Sequence, residues 1–263
     1  MADSLYANNA ELDAFINQYL RPATFPVAVK LTNDALPEKV RTARGMYKHP
    51  LAFCQGVTLA RRVGRTIAFE DGDNNCPVGQ VLLGFVDTVP DMVTEGAIVH
   101  PLYAKDLDAG KNTAAHEFRM TPRAFKHLIL APLHRADFEP DVLIIYGNAA
   151  QMVRLIQGSL FNEGGTITSN FAGRGACSGC IAYPYVTGKC NVIIPGGGER
   201  VFAMTGDDEL CFAIPAGKIQ SVMEGLKGTH DGGVARMPTP FAGISVEPVY
   251  PKSYTKLSDC LGM

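Results

Sequence analysis

No stretch of this sequence reaches the ~20 consecutive apolar residues of a membrane-spanning helix, and its start, "MADSLYANNAELDAF", is acidic rather than signal-like. Lysine and arginine form no run, and 24 basic against 26 acidic residues leave a formal charge of −2. That balance argues against nucleic acid and anionic membrane as partners. Tryptophan is absent, and only seven cysteines occur in 263 residues. An odd count of seven, in the reducing cytosol expected for such a chain, argues against a disulfide framework and for thiols, metal ligands or buried packing. A cytoplasmic protein is the expectation.

What is present is material for a core. Apolar residues make up 46% of the chain and charged residues 19%, ordinary values for a globular protein. Residues 8–20 space Leu12, Phe15, Ile16, Tyr19 and Leu20 as one helical face. "FPVAVKL" alternates as a strand, and "PLAFCQGVTLARRVG" reads as a helix with Pro50 in its first turn and Gly64 at its end. "RTIAFE" and "QVLLGF" are expected strands around the turn-rich "DGDNNCPVG". "TPRAFKHLILAPL" is expected to be a helix, capped by Thr121 with Pro122 at its first position. "EPDVLIIYGN" is nearly all apolar, the mark of a strand covered on both faces, and "AAQMVRLIQGSLF" follows as a helix. "CNVII", a glycine-rich turn at "PGGGER", a strand at "VFAM", the strand "DDELCFAIP" and the helix "AGKIQSVMEGLKG" complete the series.

The fold class expected is α+β, or α/β. Strand, helix, strand, turn and strand occur twice, in "FPVAVKLTN … GRTIAFEDGDNNCPVGQVLLGF" and "PDVLIIYGN … GKCNVIIPGGGERVFAM". This suggests two diverged halves, about 24–135 and 136–228, related by a pseudo-twofold internal duplication and packed as one unit. A helix over 1–23 precedes them, and a Pro- and Gly-rich tail over 229–263 would wrap the body.

Chemistry is most concentrated at the cysteines. Cys177 and Cys180 have the two-residue spacing of zinc knuckles and redox pairs, but no second pair completes a zinc ribbon. Cys54 near a helix start, Cys76 before a proline, and Cys177 in a Gly-rich loop come from three separate elements. Such dispersed thiols resemble the ligation of an iron–sulfur cluster, and three of them leave one iron open to substrate. Cys180 is then a secondary thiol. Cys190, Cys211 and Cys260 read as structural, the first two in strands. Arg61, Arg200 and the amides of Gly196, Gly197 and Gly198 are candidates for holding an anionic substrate. "PGGGER" is not a dinucleotide fingerprint, since its spacing differs and no helix is expected directly after it. Four histidines, His100, His116, His127 and His134, crowd the middle without a metal-binding spacing.

The order of "FPVAVKL", "FCQGVTLARRVGRTIAFE", "NNCPVGQVLLGF", "PDVLIIYGNAAQMVRLIQ" and "ACSGCIAYPYVTGKCNVIIPGGGERVFAM" through "GKIQSVMEGL" resembles the domain of unknown function 169 family over most of residues 24–228. The resemblance implies a prokaryotic α+β or α/β domain, often from anaerobes, without an assigned activity. It marks Cys54, Cys76 and Cys177 as family-type cysteines and Cys180 as a variable position. Where the family pattern carries a further cysteine shortly before a Gly-x-Arg step, this chain reads Pro195-Gly-Gly-Gly-Glu-Arg200.

The leading expectation is a cytoplasmic iron–sulfur or metal-binding enzyme of lyase, hydratase or sulfur-transfer type. It would act on a small anionic substrate, with Cys54, Cys76 and Cys177 as ligands. The alternatives are a metal-free module binding a small ligand or cofactor, with structural cysteines; a flavin- or nucleotide-using redox enzyme; and a homo-oligomer or subunit of a larger complex. Zinc, flavin or no cofactor at all are the corresponding alternatives at the site.

Overall fold

The computed structural model describes residues 5–233, 236, 244 and 251–262. In chain order its first half contains α1 (Asn9–Tyr19), β1 (Val27–Thr32), α2 (Ala43–Tyr47), α3 (Phe53–Val63), β2 (Ile67–Phe69), α4 (Pro77–Leu82), α5 (Asp91–Thr94), α6 (Leu107–His116) and β3 (His127–Pro132). The second contains β4 (Val142–Gly147), α7 (Ala149–Leu160), a π-helical segment Gly175–Ala182, α8 (Tyr183–Thr187), β5 (Asn191–Ile193), α9 (Gly197–Phe202), β6 (Leu210–Pro215) and α10 (Ile219–Asp231). An exposed helix, α11 (Lys252–Leu261), ends the chain.

The strands form one open sheet in the order β2-β3-β1-β4-β6-β5, and every neighbouring pair is antiparallel. Helices cover both faces, and the protein is α+β. On one face α1, α7 and α10 bury Leu12, Ile16, Met152, Leu155, Val222 and Leu226 against Leu143, Ile145, Phe212 and Ile214. On the other, α3 and the π-helical segment bury Phe53, Val57, Ala60, Cys180 and Ile181 against Val29, Leu130, Ile144 and Ala213. Fully burying each large apolar side chain stabilises by about 1.5–3 kcal/mol. β4 is buried at all six positions because both helical layers close on it, which accounts for its unbroken apolar run.

Local chemistry sets the helix starts. The Asn8 side chain accepts from the Glu11 amide, and Asn148 and Gln151 cap α7 reciprocally. Gly64 ends α3 with φ of 74°, a left-handed conformation that costs glycine little.

Three expected elements differ. "QVLLGF" is not a strand: its first residues finish α4, because Cys76 caps the turn and Pro77 occupies its first position. "TPRAFKHLILAPL" is not a helix. Arg123 takes a left-handed φ of 54°, which stops any helix begun at Pro122, and His127–Pro132 then slots between β1 and β2. Four successive buried residues, Leu128–Ala131, suit a two-sided strand as well as a buried helix, so periodicity could not separate them. "VFAM" is not a strand either. A helix does follow the glycines directly, since the Glu199 side chain accepts from the Gly196 amide and closes the first turn of α9.

The strand triplets β2-β3-β1 and β5-β6-β4 meet at the β1–β4 pair. This order does not establish an internal duplication. α3, which follows β1, packs on one face, whereas α7, which follows β4, packs on the other. The N-terminal helix belongs to the core through Leu12, Ile16 and Leu20, and α10 continues past residue 228 to Asp231. Of the expected tail, residues 229–231 belong to α10 and α11 is exposed; the stretch between them falls largely outside the described residues.

Candidate functional site

A cavity of about 400 Å³ opens beside α3, α4, α9 and the π-helical segment, and Cys54, Cys76 and Cys177 all line it. Each sulfur is delivered at the start of a helical element. The Gln55 side chain accepts from the Ala52 amide at 2.9 Å, starting α3 and setting Cys54 in its first turn. Cys76 is the cap of α4, its sulfur accepting from the Gly79 amide at 3.4 Å while its own amide donates to Asn74 Oδ1 at 3.0 Å. Cys177 is the third residue of the π-helical segment. First-turn amides lack intrahelical acceptors and give each position a partial positive charge.

All three are half-buried free thiols. Burial pushes the Cys54 thiol up to about 12, with the nearby Glu199 and Cys76 adding to the rise. Burial likewise raises Cys177 well above an ordinary thiol, followed by the influence of Cys54, Cys76 and Glu199. Cys54 and Cys177 therefore sense neighbouring thiols and one carboxylate. Without a metal, Cys54 and Cys177 carry protons at neutral pH.

Glu199, which sequence reasoning missed, is that carboxylate. It lines the cavity and is only 4% exposed. Oε2 accepts from the amides of Gly196 at 2.8 Å and Ala176 at 3.1 Å, while Oε1 accepts from the Tyr146 hydroxyl at 2.7 Å. One side chain thereby ties α9 to the π-helical segment and both to β4. Burial raises its pKa, offset in part by these three donors and by Arg61. A Cβ on Gly175 would collide with Glu199 Oε2, so the approach depends on glycine. A glycine followed three residues later by glutamate, the capping-box spacing, was the available sequence signal.

The expected anion-binding arginines lie elsewhere. Arg61 does not line the cavity. Its side chain is fully buried, its guanidinium stands 4.1 Å from the Tyr146 ring centroid, and Glu209 neutralises it at 2.6 Å and 3.0 Å. Arg200 turns away, donating to Gly206 O at 2.7 Å and Asp207 at 3.2 Å. Gly196, Gly197 and Gly198 do line the cavity. The arginine on its wall is Arg174, a residue the sequence did not single out. It pairs with buried Glu117 at 2.7 Å, and its guanidinium lies 5.9 Å from the Tyr103 ring centroid. The remaining walls are mostly apolar: Val78, Leu82, Ile98, Leu102, Ala176 and Phe202.

Cys180 is not on the cavity wall. It is fully buried, with its sulfur 3.3 Å from that of Cys211 in β6. Cys190 precedes β5 rather than lying in it, and Cys260 is exposed on α11. Among the described residues, no three His, Cys, Asp or Glu side chains are grouped so as to hold a metal ion. No helix among them is long and apolar enough to cross a membrane.

An antiparallel sheet sandwiched between helices, with a cysteine-lined and largely apolar cavity on one side, defines a mixed α+β protein. The chain belongs to the domain of unknown function 169 family, described as uncharacterised ArCR, whose family model matches residues 16–225. It is similar to an uncharacterised protein of Methanocaldococcus jannaschii, 25% identical over 205 residues that cover 76% of this chain and 86% of that one. No solved structure matches the chain.

Proposed function

We propose that the cavity bounded by Cys54, Cys76 and Cys177 binds an iron–sulfur cluster and performs lyase, hydratase or sulfur-transfer chemistry on a small anionic substrate. The observation that carries this reading is that three cysteines from three elements, two of them more than a hundred positions from the third, line one cavity. The donor set does not suit a single tetrahedral ion such as zinc, whose ligands gather about 2.3 Å from one centre. A cluster has a larger inorganic core and accepts more widely spaced thiolates. Bound there through three thiolates, it would supply an iron with an open position able to act as a Lewis acid.

The chain's own groups have definable parts. Cys54 and Cys177 must lose protons to become ligands, so cluster binding strengthens as pH rises. Arg174 receives the substrate's charge, and Glu199 holds or releases a proton at the cavity wall. The apolar side chains exclude water from the reacting atoms. All seven cysteines are free, which supports a reducing, cytoplasmic setting.

Anaerobically purified protein should be coloured and contain iron and acid-labile sulfide. Cys54→Ala, Cys76→Ala and Cys177→Ala should each lose most of the iron, while Cys180→Ala retains it. Colourless, iron-free protein from such a preparation overturns the reading.

A metal-free ligand-binding module is the second reading. The burial that keeps Cys54 and Cys177 protonated, together with the largely apolar walls, favours it. In that case Cys54→Ser would alter stability but leave iron content and colour unchanged from the parent's zero.

A further inference from the structure

Among the described residues lining the cavity, Arg174 is the only cation. Its Nη1 donates to Glu117 Oε2 at 2.7 Å and its Nη2 points to the Ile98 carbonyl at 3.5 Å. A guanidinium carries five N–H donors in a planar fork suited to a carboxylate, and these two bonds with one to the Tyr103 side chain leave others unused. Glu117 is 4% exposed, and its Oε1 is buried without a hydrogen-bond partner. Such a half-satisfied carboxylate is costly to bury, and Arg174 offsets that cost. The ion pair therefore holds the arginine oriented without saturating it.

Other features of the wall narrow what can bind. Val78, Leu82 and Phe202 offer apolar surface and no hydrogen-bond partners for a hydroxyl-rich molecule. Glu199 on the wall and Glu117 behind Arg174 would repel a second negative charge, which would find no further cation there. A volume of about 400 Å³ lies in the small-molecule range.

We infer that the cavity takes a small organic monoanion with an apolar body: its carboxylate sits on the Arg174 guanidinium beside Tyr103, and its apolar part rests against Val78, Leu82 and Phe202. This rests on the anionic-substrate reading above and narrows it to a class. Glu117 is then the competitor that the ligand carboxylate partly displaces, so weakening Glu117 strengthens binding.

Calorimetry on the full chain with phenylacetate, isovalerate, inorganic phosphate and citrate tests the inference, with iron measured on the same samples. At least one apolar monocarboxylate should bind tenfold or more tightly than phosphate or citrate. Arg174→Gln should weaken it tenfold or more, Arg174→Lys less, and Glu117→Gln should tighten it several-fold. Phosphate or citrate binding as well as the monocarboxylates, no monocarboxylate binding at all, or unchanged affinity in Arg174→Gln overturns the inference. Should Arg174→Gln fail to fold, Glu117→Gln decides: unchanged or weaker affinity overturns the inference. Iron-free protein that still binds the monocarboxylate sinks only the cluster, and iron-loaded protein that binds none sinks only this inference.

Discussion

The Tyr146 hydroxyl donates to Glu199 Oε1 at 2.7 Å, joining the central strand β4 to the cavity wall. The same Tyr146 ring supports the Arg61 guanidinium 4.1 Å away, and Arg61 is held by Glu209. A buried line of groups thus runs from the cavity wall through the helical layer. Tyr146→Phe removes one of three donors to a buried carboxylate. It should cost about 1–3 kcal/mol, read by urea unfolding at pH 7. In Glu199→Gln the same change should cost less, because the acceptor is no longer charged; equal costs in both backgrounds would show that the carboxylate's charge adds nothing to the bond.

One buried carboxylate, Glu199, and one paired carboxylate, Glu209, pull the pH profile in opposite directions. Burial pushes Glu209 up, but the Arg61 hydrogen bond, the Gly206 amide and the charges of Arg61 and Arg62 bring it down to about 2. Its stabilisation is present above its ordinary value of 4.5 and is lost as pH falls through about 2. Glu209→Gln should therefore flatten the acid limb of a stability-versus-pH curve.

Glu199 behaves in the opposite sense. Its folded pKa lies above 4.5, chiefly through burial, so the native state holds its proton more tightly than the unfolded chain. That contribution is present below 4.5 and is lost as pH rises through the folded value. Glu199→Gln should gain on the parent protein in denaturant midpoint from pH 4.5 upward. A constant difference across that range would rule out the titration.

Thiol reactivity should follow burial. With its pKa at about 12, Cys54 is thiolate in only about one molecule in 10⁴ at pH 8. Peptide mass analysis after iodoacetamide treatment of iron-free protein should find exposed Cys260 labelled long before Cys54 or Cys177. Glu199→Gln removes a negative charge beside both slow thiols and should speed their labelling.

The contact between α7 and α10 should tolerate no added methyl. A Cβ at Gly225 would fall on the Gly158 carbonyl, a backbone group that cannot swing aside. Gly225→Ala should cost about 1–3 kcal/mol or more by thermal or urea unfolding. Gly217→Ala meets nothing within 4 Å and should stay within about 0.5 kcal/mol.

Elements whose signal is local were legible in the chain. α1 and α7 carry both a cap and a helical apolar stripe, and β4 carries an apolar run of strand length, so each was readable from its own residues. β3, α4 and α9 were misread for a common reason. Each has a short apolar stretch that suits either period, and the deciding partner was a neighbouring strand or a capping side chain. At the site, Cys54, Cys76 and Cys177 could be singled out by residue type and separation, since thiols are few and chemically distinctive. Arg61 and Arg200 were equally visible as charges, yet one lies buried behind Tyr146 and the other faces Asp207.

The sequence by itself narrowed the class to α+β or α/β, marked β4 as a strand covered on both faces, and named the three thiols, because composition and periodicity are properties of the chain. Only the tertiary structure decided that those thiols share a cavity with Glu199 and Arg174. It also turned Cys180 inward to Cys211. The physical reason is that a charge or thiol acquires its role from what surrounds it, and these neighbours come from segments up to more than a hundred residues apart.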